Sequence, residues 1–348
     1  MSLETAYLAV MWIGLTLYLL LGGADFGAGI WDLVAGGPER GRRQRDLIAH
    51  TIGPVWEANH VWLIFVIVLW WTGFPPVFAA VSSTLYVPFT LVALGIIGRG
   101  SAFVFRKASV RVEHQRLFGA VFALSSLLTP FFLGVSAGAV AGGRVPPGLA
   151  TGDLVTSWLN PTSLACGVLT VCLTAYLAAV YLTREAERQA GAGERADVDG
   201  AAGRVVQSGL AETFRRRGLG AGVVTGAVAV ATLFVVRADT PDLADRLLSG
   251  RGLVLVLVSV VAGAVSLVLL ALRRYLVVRG TAALAVTALL WGWGAAQYPE
   301  MLPGLTAADA AAQHAVLAAS LGALGAGALL LVPSMLWMFR IFQRPAEH

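Results

Sequence analysis

Residues 53–73 read GPVWEANHVWLIFVIVLWWTG. From Val61 to Trp71 the run is apolar and fit to enter a bilayer. Yet Glu57, Asn59 and His60 stand together at its start, where each polar side chain at membrane depth is costly. The surrounding chain says what kind of protein carries such a segment. Its 348 residues are 57% apolar and only 13% charged, with mean hydropathy +0.76, whereas soluble domains run near a quarter charged. This composition is that of a polytopic membrane protein.

Apolar stretches of about 20 residues fall at 5–35, 52–73, 76–98, 117–141, 161–183, 219–237, 252–272, 280–297 and 314–340. They predict nine transmembrane helices in a single all-α membrane domain, 1–348, with no soluble domain left over. The polar, Ala-rich segment 184–217 reads as a cytoplasmic linker with partial helix. It divides five helices from four, and the expected arrangement is two four-helix bundles plus one peripheral helix. The first basic residue is Arg40, so the N-terminal run lacks the basic leader of a signal peptide and is expected to remain as a helix.

Lys and Arg distribute unevenly between the two sets of loops. Of the 25, all but Arg144, Arg237, Arg246 and Arg251 fall in one set. The bias predicts an N-terminus outside and a C-terminus in the cytoplasm. It also accounts for the basic pI, and no basic surface with interleaved aromatics speaks for nucleic acid. Cys166 and Cys172 lie inside the fifth helix on different faces and imply neither disulfide nor metal.

Four intramembrane features carry chemistry. LGGADFGAGIWD (21–32) sets Gly23 and Gly27 in a GxxxG step that lets another helix approach closely, with Asp25 beside it. Asp25 reads either as structural glue between helices or as a proton-carrying acid. Glu57 and Asp25 both fall in the cytoplasmic half of consecutive antiparallel helices, about 8 Å and 15 Å from their inner ends. Arg99, at the inner end of the third helix, is placed to join them, as a water-holding proton relay or as a static salt-bridge knot. His60 follows Glu57 by three residues, the spacing of a di-iron ligand pair. Such a centre needs two pairs and two further glutamates, and only one pair is present, so no metal site is assigned. His60 beside Asn59 reads as a hydrogen-bonded packing residue or a proton-transfer group. Trp56 and Trp62 flank this cluster and are expected to shield it. Trp70, Trp71, Trp158, Trp291 and Trp293 are expected in the outer aromatic belt, with Tyr298 at the interface. Haem ligation needs axial His, Met, Cys or Tyr, and only His60 and His314 lie near membrane depth, with no pair spaced to hold a haem.

GADFGAG (23–29), GPVWEANHVWLI (53–64), RGSAFVFR (99–106) and GWGAAQYPEMLP (292–303), in this order among nine helices, resemble subunit II of the cytochrome bd quinol oxidases, particularly the cyanide-insensitive branch. The resemblance covers nearly the whole chain and implies a bacterial cytoplasmic-membrane heterodimer that oxidises quinol and reduces oxygen to water. Its subunit I carries haem b, haem d and the quinol-binding loop, and small accessory subunits and membrane lipids accompany the pair. Subunit II then binds no cofactor of its own and supports the haem-bearing partner. The resemblance further implies that Glu57 and Asp25 deliver protons from the cytoplasm, with Arg99 and His60 beside them. Glu57 stands where many relatives have Asp. Gly100 and Val104 replace a Pro and an acid of the third motif, while Arg99 and Arg106 remain. Two other classes fit intramembrane acids: a secondary transporter and a purely structural subunit.

Overall fold

The structure is a computed structural model and describes residues 2–53, 56–109, 111–195 and 201–342. The first span is one rod made of three pieces: α1 (Leu3–Leu17), a π-helical turn (Tyr18–Gly22) and α2 (Gly23–Leu33). Then come α3 (Pro38–Ile52), α4 (Trp56–Gly73), α5 (Pro75–Thr84), α6 (Tyr86–Ala108) and α7 (Val112–Ala141). Two long helices, α8 (Pro161–Arg195) and α9 (Ala201–Asp239), precede the short α10 (Pro241–Leu247), then α11 (Gly250–Ala271) and α12 (Tyr275–Gln297). A two-stranded hairpin follows, β1 (Glu300–Leu302) against β2 (Leu305–Thr306), and the chain ends on α13 (Ala307–Ala310) and α14 (His314–Phe342).

Among the described residues seven helices are long and apolar enough to cross a membrane: Leu3–Leu33, Tyr86–Arg106, Glu113–Ala141, Pro161–Ala190, Gly209–Asp239, Gly250–Ala271 and Tyr275–Gln297. Gly41–Ile52 and Trp56–Gly73, which meet at 51°, make an eighth if counted as one bent span. His314–Leu330 is a shorter apolar helix. The chain is a multi-pass membrane protein.

Two expectations differ from the structure for clear physical reasons. The third span, read as continuous over 76–98, is broken at Leu85 between α5 and α6. Pro88 has no N–H, and its ring excludes a helical carbonyl four residues earlier. That residue is Thr84, where α5 stops. The segment 184–217 is far more helical than a partial linker: α8 runs on to Arg195 and α9 is already formed at Ala201. Pairs at helical spacing support these extensions, Arg188 with Glu185, and Arg215 and Arg216 with Glu212. Residues 196–200 lie outside the described part.

α8 is the central post. α2, α7, α9 and α12 all pack on it. The approach of α2 needs glycine, because a Cβ on Gly27 would fall inside the van der Waals envelope of the Thr174 carbonyl. The small-residue step read from the sequence is therefore a helix-packing surface. Near the hairpin, Leu302 buries itself with Tyr7 and Phe74, and the Ala312 N–H closes on the Gly73 carbonyl at 2.8 Å. This cover and the α8 post hold the first span in place from two sides.

Candidate functional site

The site begins where the first span changes pitch. The π-helical turn at Tyr18–Gly22 widens the helix just before GADFGAG, a kind of irregularity frequent at functional sites. Every residue from Gly23 to Gly29 is buried. Asp25 is 5% exposed, and its Oδ2 accepts a hydrogen bond from Asn59 Nδ2 of α4 at 2.8 Å.

Arg99 of α6 is only 2% exposed. Its Nη2 donates to the backbone carbonyl of Asp25 at 2.8 Å, and its Nε donates to Ser126 Oγ of α7 at 3.2 Å. Ser126 sends its own proton to the Phe122 carbonyl at 2.7 Å, which leaves its oxygen free to accept. The guanidinium lies 5.0 Å from the ring centres of both Phe26 and Phe122, a cation–π sandwich in a dry setting. A carboxyl group and a guanidinium thus share one buried place, the guanidinium bonded to the Asp25 main chain and the carboxyl to Asn59.

A second cluster lies seven residues further along α2, about 10 Å at 1.5 Å per residue. Asp32, also buried, accepts from Arg106 Nη1 at 2.8 Å and Nη2 at 3.4 Å, and Arg45 of α3 stands 3.5 Å away. Sequence reasoning picked out Arg106 but missed Asp32. A signal was there: the acids at 25 and 32 and the arginines at 99 and 106 share one spacing of seven, so each pair lies on one face of its helix.

His60 sets its Nδ1 2.8 Å from the Trp56 carbonyl. Its ring meets those of Tyr18, Phe26 and Trp56 edge-on, with centroids 6.1, 5.8 and 6.0 Å apart. Trp56 also packs on Phe103. Trp62 packs on Phe65 instead. Gly100 gives Trp56 its room, since a Cβ there would stand 3.3 Å from the indole. Val104 is on the exposed side of α6.

Glu57 does not join this group. Its side chain is exposed and makes no hydrogen bond or ion pair with Asp25 or Arg99 among the described residues. The geometry of α4 requires this: Asn59 faces Asp25, and Glu57, two residues earlier, is turned about 200° away at 100° per residue. The polar partner that α4 offers the first span is Asn59. Glu57 heads a different stripe with Val61, Ile64, Val68 and Trp71, the apolar four of which are between 49% and 64% exposed.

The tryptophans expected in the aromatic belt divide. Trp71 is exposed and stacked on Phe78, as a belt residue would be. Trp291 and Trp293 turn inward: Trp291 Nε1 donates to Thr16 Oγ1 at 3.0 Å, and Trp293 packs on Trp12 at 5.2 Å. Among the described residues no three His, Cys, Asp or Glu side chains gather as a metal site.

With this geometry in hand, comparison with known proteins is decisive at the family level. The profile of the family described as cytochrome bd terminal oxidase subunit II matches residues 3–342. The chain belongs to that family. Membership agrees with the four motifs and with the apolar helices that carry them. Similar proteins include the cytochrome bd ubiquinol oxidase subunit 2 of Bacillus subtilis, 37% identical over 127 residues, 36% of each chain. The cytochrome bd-I ubiquinol oxidase subunit 2 of Escherichia coli is 28% identical over 187 residues, 50% of this chain and 48% of that one. These matched stretches span about a third to a half of the relatives' lengths. In fold, this subunit II chain is similar to a chain of the bd oxidase from Geobacillus thermodenitrificans, with TM-score 0.75, 24% identity and 99% of both chains covered.

Proposed function

We propose that this chain is a subunit of a bacterial quinol:oxygen oxidoreductase that carries no haem itself, braces a haem-bearing subunit I in the cytoplasmic membrane, and passes protons from the cytoplasm towards the place where oxygen is reduced. Haem b and haem d belong to the partner in this reading, and quinol is the substrate of the complex. Small accessory subunits and lipids surround the pair. The chain crosses the membrane nine times, N-terminus outside and C-terminus inside, the arrangement its loop arginines favour.

The observation that carries the reading is the exposed stripe of α4 headed by Glu57. A carboxylate at membrane depth is costly against lipid, so a face that pairs Glu57 with Val61, Ile64 and Val68 fits a protein partner better than hydrocarbon. Glu57 is then the acid on the partner-facing side. Asp25, reached through Asn59 of the same helix, is the acid held inside the chain. A carboxyl group moves a proton through a dry region by alternating between its charged and neutral forms. Arg99 keeps that place polar without opening it to water, and His60 lies between the two faces of α4.

The test uses the complex purified with its native partner. Glu57→Gln and Asp25→Asn are expected to leave the reduced-minus-oxidised haem spectrum intact while quinol-dependent oxygen uptake falls about tenfold or more, a barrier increase of about 1.4 kcal/mol. Full uptake in both assembled variants would reduce the chain to a structural partner. A chain that copurifies with no haem and takes up a solute alone would instead be a secondary transporter.

A further inference from the structure

Tyr18 is absent from the site as described, yet it occupies the middle of the first span, fifteen residues from either end of Leu3–Leu33. It is 4% exposed, and its hydroxyl is buried with no hydrogen-bond partner among the described residues. A phenylalanine would fill the same space without burying an unpaired hydroxyl, so the oxygen needs an explanation.

Three observations say where the hydroxyl belongs. The π-helical turn starts at Tyr18, and Gly22 leaves the ring its space, since a Cβ there would stand 2.9 Å from Tyr18 Cε2. The ring meets His60 edge-on at 6.1 Å, and His60 meets Phe26, the neighbour of Asp25, at 5.8 Å. The Arg99 guanidinium lies 5.0 Å from the centre of that same Phe26 ring and donates to the Asp25 carbonyl. The titratable and charged groups facing it are therefore Asp25 from its own span, His60 from α4 and Arg99 from α6.

We propose that the Tyr18 hydroxyl is a member of the Asp25–Arg99 site, joined to it through an internal water molecule, and that it carries the chain of exchangeable protons from Asp25 to the middle of the span. A buried polar group with no protein partner is commonly served by such a water, which needs two to four polar neighbours. In transfer the hydroxyl gives its proton to one neighbour as it takes one from the other, and remains a neutral phenol. The proposal rests on the proton-passing role given above to Asp25, and it adds one step to that route towards the middle of the span.

Tyr18→Phe in the purified complex is the test. It keeps the ring over Gly22 and against His60 and deletes one oxygen. Haem content is expected to stay unchanged and oxygen uptake to fall about tenfold. The infrared carboxyl band of Asp25, assigned by its loss in Asp25→Asn, is expected to shift. Packing alone would not move that band. Unchanged uptake, or lowered uptake with an unmoved band, overturns the proposal. If Tyr18→Phe does not assemble, an experimental density map of the unmodified complex decides: a water within hydrogen-bonding distance of Tyr18 Oη and of Asp25 or His60 supports it, and a dry hydroxyl overturns it. Failure here is distinguishable from failure of the wider reading. Normal uptake in Asp25→Asn sinks the proton-passing role, whereas an inactive Asp25→Asn beside a normal Tyr18→Phe sinks only this extension.

Discussion

Replacing Arg99 by Met removes the charge that balances Asp25 while leaving an unbranched apolar chain between Phe26 and Phe122. The structure gives the size of the effect. Two hydrogen bonds from a charged donor are lost, each worth about 1.5–3 kcal/mol. Two ring contacts are lost as well, about 0.5–2 kcal/mol apiece. Against these stands the desolvation of the guanidinium, which no longer has to be met. After that relief, the loss of two hydrogen bonds from a buried charge and of its ring contacts leaves a net cost of about 3–5 kcal/mol. For 348 residues at about 2.1 cal/mol/K per residue, the unfolding entropy is about 0.7 kcal/mol/K, so the melting point should drop by about 4–7 °C.

Pairing is tested by adding Asp25→Asn. The amide cannot carry the charge that Arg99→Met leaves unbalanced, yet it still offers an oxygen to Asn59. The double variant should therefore be more stable than the sum of the single losses by about 2 kcal/mol or more. The assay is thermal unfolding of the four purified complexes, followed by thiol labelling of Cys166 and Cys172, both inside α8 and the only cysteines of the chain. A coupling below about 0.5 kcal/mol would show that Arg99 and Asp25 are neighbours without being a pair.

Further outcomes follow from other parts of the molecule. Gly27→Val should abolish recovery of folded chain from detergent extracts, because its Cβ meets the backbone of Thr174 rather than a side chain that can move. Asp32→Asn should cost about 1–3 kcal/mol, less than Arg99→Met, since Arg45 and Arg106 remain about a quarter exposed and reach solvent. Raising salt to about 1 M should weaken the contribution of Asp32 but not that of Arg99, as read by the melting points of the two variants. In the loop 142–160, the N–H groups of Thr156 and Val155 hold the exposed Asp153 carboxyl below its ordinary value. The order it lends to the loop is complete above the ordinary carboxylate range and fades as pH falls through the lowered value. Protease cleavage within 142–160 should rise over that acid range, and Asp153→Asn should remove the rise.

Spans and packing were legible because both depend on side chains that act alone. Apolar length picked out the seven long membrane helices among the described residues, and Gly23 and Gly27 announced a close helix contact. What stayed hidden depended on rotation and on partners far along the chain. The break at Leu85 was readable only from Pro88, four residues past the last helical carbonyl. The inward turn of Trp291 requires Thr16, 275 residues away, a pairing that no local pattern reveals. Depth along the axis groups Glu57 with Asp25, and azimuth separates them. Asn59 and Glu57 are two residues apart and cannot both face the first span, so once Asn59 bonds Asp25, Glu57 must look elsewhere.

The partners of Arg99 bear on the proton-passing role proposed for Asp25. Its two hydrogen bonds go to the backbone carbonyl of Asp25 and the hydroxyl oxygen of Ser126, neither of which titrates. Protonation of the Asp25 side chain therefore takes no acceptor away from the arginine. The carboxyl oxygen itself is met by an amide, Asn59, which has a donor and an acceptor on one planar group. It presents Nδ2–H to a carboxylate and, turned over, Oδ1 to a carboxylic acid. A lysine or arginine in the place of Asn59 would serve only the charged form. Under the proposed role, Asn59→Leu should lower oxygen uptake more than it disturbs folding, because it strands the carboxyl in both states and leaves the Arg99 contacts untouched. A variant with normal oxygen uptake would show that Asp25 changes its protonation without help from α4.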